Sequence, residues 1–74
     1  PFLTELRLTH PELDFWVDVS VHVRHGCYMA TADLGEDSRD VGVGSAPHEA
    51  VRAALRSLGG PYAREMADGV DRDA

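Results

Sequence analysis

Lysine, asparagine, glutamine and isoleucine are all absent from this chain of 74 residues, and cysteine occurs once, as Cys27. The lone thiol excludes an internal disulfide. Its four histidines are His10, His22, His25 and His48, and only His22 and His25 lie close together. That spacing fits no zinc-binding motif, so neither a structural metal nor a cofactor is expected. A single domain this short buries a limited core, which leaves self-association as the remaining staple and a homodimer as the expectation. No apolar run approaches the length of a membrane span and no signal peptide is visible. With a free thiol, those absences suggest the cytoplasm. Lysine, asparagine and isoleucine have AT-rich codons, so their absence reads as the mark of a GC-rich genome.

Every cation is an arginine, seven against thirteen acids, for a net charge of −6. The arginines are scattered rather than clustered. This argues against a nucleic-acid partner for this chain alone. A basic protein partner is the complementary expectation, with charge acting mainly on association rate.

The clearest pattern runs from Leu13 to Arg24. Phe15, Val17, Val19, Val21 and Val23 fall on one side, and Trp16, Asp18, Ser20, His22 and Arg24 on the other. Alternation with β-branched residues predicts a half-buried strand. His25-Gly26 then predicts a two-residue hairpin turn, because glycine adopts positive φ at little cost. Cys27 to Leu34 is the expected return strand. In that register Val23 faces Tyr28, Val21 faces Ala30, Val19 faces Ala32 and Val17 faces Leu34. Both strands thus present one apolar side, and the alanines leave room there for a helix. On the opposite side Asp18 faces Asp33, a repulsive pair unless something relieves it.

Arg39 to Gly44 predicts a short third strand at a sheet edge, weakened by glycine. Ser45-Ala46-Pro47 opens a helix, with Pro47 in its first turn. Ala50, Val51, Ala54, Leu55 and Leu58 form its apolar stripe, and Gly59-Gly60-Pro61 ends it. Tyr62 to Ala67 is expected to add a short second helix, and 68–74 to form a disordered tail after a domain spanning 1–67. Phe2 to Leu8 fits a strand or a helical turn, and the strand is favoured. The expected class is α+β: a three- to four-stranded antiparallel sheet with one main amphipathic helix on one face, a βββα-like arrangement.

Few residues suggest chemistry. Gly44, Ser45 and Ala46 stand at a helix N-terminus, where free N–H groups can hold an anion, although no phosphate-binding motif is complete. A tight strand-to-helix connection accounts for the same residues. His22, His25 and Met29 resemble metal ligands only loosely. Cys27 beside His25 or His22 has no group to orient a base, so no catalytic residue is assigned. Trp16, Cys27 and Met29 share the side away from the helix and are the interface candidates, since tryptophan is enriched at interfaces.

Gly26 and Tyr28, then Asp33-Leu34-Gly35, then Gly44-Ser45-Ala46-Pro47-His48-Glu49-Ala50 together resemble HicB-type antitoxin domains over roughly 17–58. That resemblance implies a βββα fold and a non-catalytic, acidic module that caps a small basic RNA-cleaving toxin. Gly42, Gly44, Pro47, Glu49, Ala50, Ala54 and Leu55 also resemble the regulatory dimerisation domain of isopropylmalate synthases. This second likeness implies a small-molecule-sensing dimer. The Gly-x-Gly and alanine spacing is similar to that of double-stranded-RNA-binding domains as well, so the shared motif encodes a strand–turn–helix connection before any function.

Overall fold

The computed structural model describes residues 2–35 and 37–73. Four strands come first, β1 (Phe2–Thr9), β2 (Trp16–Arg24), β3 (Cys27–Gly35) and β4 (Ser38–Gly44). Two helices follow, α1 (Pro47–Leu58) and α2 (Pro61–Asp73). The strands form one antiparallel sheet in the order β1-β2-β3-β4, so sequence neighbours are sheet neighbours throughout. Both helices pack on one side of it. The fold is α+β, as the alternating valines and the later helical stripe require. No helix among the described residues is long and apolar enough to cross a membrane.

The β2–β3 hairpin has the register expected from its two apolar sides, from Asp18↔Asp33 to Arg24↔Cys27. Its turn places His25 at φ 52° and Gly26 at φ 81°. Two positive φ values match the right-handed twist of the flanking strands. The ladder stops one pair short of the expected Val17–Leu34 match. Leu34 is exposed, and the β3–β4 pairing is irregular between Asp33 and Gly35, where Gly35 takes φ 84°. β1 is a strand, as favoured, and pairs along β2 with an irregularity between Phe2 and Thr4.

Val17, Val19 and Val21 from β2, and Ala30 and Ala32 from β3, are buried against Ala50, Val51, Ala54 and Leu55 of α1. α1 crosses directly over β4, and glycine permits it. A Cβ on Gly42 would stand 2.6 Å from both the Ala50 carbonyl oxygen and the Ala53 carbonyl carbon, and would overlap the Ala54 nitrogen. The strand glycines therefore set the distance between helix and sheet, a role beyond weakening an edge.

The expected short helix and tail are corrected. α2 continues to Asp73, while Ala74 lies outside the described residues. Ala63, Met66 and Ala67 recur at helical spacing and are buried, with Val70 partly buried against the same core. The domain thus runs past Ala67, because this second apolar stripe has a surface to cover.

Candidate functional site

With both helices on one side, the other side of the sheet is left without a helix. Its side chains are Glu5, Arg7 and Thr9 from β1, and Trp16, Asp18, Ser20, His22 and Arg24 from β2. β3 adds Cys27, Met29, Thr31 and Asp33, and β4 adds Arg39, Val41 and Val43. The pairing sets these in rows across the sheet.

One row reads Arg7, Asp18, Asp33, Arg39. The two aspartates that repel on the central strands are each neutralised from an outer strand. Arg7 donates to both Asp18 carboxylate oxygens at 2.8 and 3.3 Å, and the Arg39 guanidinium stands 3.6 Å from Asp33. The Arg7 hydrogen bond holds the Asp18 carboxyl below its ordinary range. Asp33 also accepts the Gly35 N–H at 2.7 Å. This row and its neighbours Glu5, Ser20 and Thr31 line a shallow concavity of about 640 Å³.

Trp16, Cys27 and Met29 all belong to this side, but not to one patch. Trp16 lies at one end with the Arg7 guanidinium 5.2 Å above its ring, a cation–π contact. Met29 pairs with His22 and Val43, two rows beyond the charged one. Its apolar company is Val43 and Val41, which are 58% and 45% exposed. Cys27 sits beside the turn and donates its S–H to the Arg24 carbonyl at 3.1 Å. The β4 valines were legible as alternating residues, yet only the sheet order shows that they extend the patch begun by Met29.

At the N-terminus of α1 the Ser45 donors are engaged within the chain. Ala46 is the cap and contributes no side-chain bond. The Ser45 hydroxyl donates to Glu49 Oε1 at 2.9 Å and the Ser45 N–H to the same oxygen at 3.3 Å. Those two bonds hold the Glu49 carboxyl below its ordinary range. Of the candidates Gly44, Ser45 and Ala46, Ser45 thus already holds an internal carboxylate.

A third cluster escaped sequence reasoning. His10 is buried, and its Nδ1 accepts the N–H groups of Glu12 and Leu13 at 3.1 and 3.2 Å. With Nδ1 accepting, the ring hydrogen is assigned to Nε2, which donates to Glu65 at 2.7 Å. Tyr62 meets both His10 and Phe15 edge-on. Together these contacts fasten the β1–β2 loop to α2. Beside them runs a crevice of about 300 Å³ whose lining includes Leu8, Pro11, Glu65, Met66 and Val70.

Among the described residues no three His, Cys, Asp or Glu side chains converge on a point that could hold a metal. Compared with protein-family models, with curated proteins and with solved structures, the chain finds no match in any of the three.

Proposed function

We propose that this chain is a non-catalytic, HicB-like interaction module that works as a homodimer and holds a small basic protein partner. One observation carries the reading: the charge is unevenly divided. The helix-free side carries three arginines (Arg7, Arg24 and Arg39) and three acids (Glu5, Asp18 and Asp33). Of the chain's thirteen acids and seven arginines, ten acids and four arginines lie elsewhere in the sequence. Glu65 on α2 lines the crevice together with Leu8, Met66 and Val70, and the β1–β2 loop, which contributes Pro11 to the same lining, carries exposed Glu12 and Asp14. A largely apolar slot with one acid in its wall, next to an acidic loop, suits a basic amphipathic segment.

The metabolite-sensing reading loses its main support, because the Ser45 donors are taken up by Glu49. A gene for a small basic protein immediately beside this one, and calorimetric titration with its product, test the proposal; the absence of such a gene would count against it. Binding that weakens steeply with added salt, and that is lost in Glu12→Arg/Asp14→Arg, is expected. Binding that ignores both would overturn the reading.

A further inference from the structure

We infer that the helix-free side of the sheet is where two copies of this chain meet, face to face; this rests on the homodimer proposed above and assigns its surface. The two edges of the sheet are poor routes to self-pairing. Joining the β4 edges would set two strands about 4.8 Å apart. α1 lies directly over β4 at Gly42, so its counterpart would arrive at a similar spacing, whereas packed helices need about 8–10 Å between axes. The β1 edge is guarded differently, by exposed Glu5 and Arg7 and by the irregularity between Phe2 and Thr4. Neither edge readily accepts a second sheet.

The open side has the opposite character. Its three arginines balance its three acids, so two copies can approach there without bringing the acidic remainder of each chain together. The Arg7–Asp18 and Arg39–Asp33 pairs are made within each copy, so the charged row enters an interface already neutralised. Beside it, Val41 and Val43 are exposed and adjoin Met29, and Trp16 is 45% exposed. A basic partner gains no charge attraction at a neutral surface, and an identical copy meets no local charge repulsion there.

Size sets the expected strength. Four strands about 4.8 Å apart and roughly 7 residues long, at about 3.3 Å each, span about 400 Å² in projection. Over both copies that is about 800 Å², below the roughly 1,200–2,000 Å² of stable specific interfaces, so the dimer is expected to be weak and to form only with rising concentration.

The test is sedimentation equilibrium on the full chain with Val43→Asp, Val43→Arg and, off this face, Leu13→Asp, each checked for folding by circular dichroism. Val43 is largely exposed, so its variants are expected to fold. Both Val43 variants should weaken self-association at least tenfold, and Leu13→Asp should leave it unchanged. Loss with Asp but gain with Arg would mean that net charge alone controls association, and would overturn the assignment. A dimer indifferent to both Val43 changes would overturn the surface and leave the homodimer standing. A wild-type chain that stays monomeric at the highest attainable concentration would overturn both.

Discussion

Replacing Gly42 with alanine tests the packing of helix on sheet at its tightest point. The added Cβ would stand 2.6 Å from the Ala50 oxygen and from the Ala53 carbonyl carbon, and would overlap the Ala54 nitrogen. All three obstacles are helix backbone, so no side-chain rotation relieves them and α1 has to move. Overpacking a core costs about 1–3 kcal/mol. With only backbone to yield, Gly42→Ala belongs at the top of that range, about 3 kcal/mol. The reduced freedom of the unfolded chain returns only about 0.4–1 kcal/mol. A net loss of about 2–3 kcal/mol is a large share of the roughly 4–11 kcal/mol expected for a domain of this length. At about 4–8 °C per kcal/mol, Tm should fall by roughly 8–24 °C. Gly44→Ala is the comparison: its Cβ would meet Glu49 Cβ at 2.6 Å and the Ala50 nitrogen at 2.8 Å, in the first turn, where the helix yields more readily. Urea unfolding followed by circular dichroism measures both. A Gly42→Ala loss below about 1 kcal/mol, or one smaller than that of Gly44→Ala, would refute the reasoning.

Three further outcomes are expected. His10→Ala removes the acceptor for the Glu12 and Leu13 N–H groups and the bond to Glu65, and should cost about 2–3 kcal/mol in urea unfolding; a loss under about 0.5 kcal/mol would mean the loop does not depend on it. His25→Asn should raise stability by about 0.5–1 kcal/mol, because asparagine tolerates φ 52° better; a lower thermal midpoint would contradict the turn geometry. The lowered pKa values of Asp18 and Glu49 contribute stability that is present above their unfolded values, near 3.8 and 4.5, and lost as pH falls through the lower folded ones. The urea midpoint should therefore decline below about pH 4.5, and Asp18→Asn should flatten the lower part of that decline.

The hairpin was legible because two separate patterns, valines on β2 and alanines on β3, agree on one register. Gly26 announced the turn, although the positive φ of His25 follows only from the pairing of two positive values in this kind of turn. The helix start was readable from Pro47 and the stripe from Ala50 to Leu58. α2 was underestimated: its Ala63, Met66, Ala67 and Val70 spacing is helical, but Gly69 and the acids around it mask the stripe in a composition-based reading. The Asp18–Asp33 clash was visible, whereas its relief was not. Arg7 is 11 positions from Asp18, and only the strand order brings it and Arg39 into one row with the two acids. His10 was illegible for a related reason. Before Pro11 it reads as a loop residue, and its partner Glu65 is 55 positions away.

Residue-resolved NMR on a dilution series bears most directly on the claim that copies meet through the helix-free side. Backbone amides of Met29, Val41 and Val43 should shift together on dilution, with one midpoint, while those of α2 and the β1–β2 loop stay still. Shifts confined to α2 or to that loop, or a spectrum unchanged while the mass halves, would contradict it.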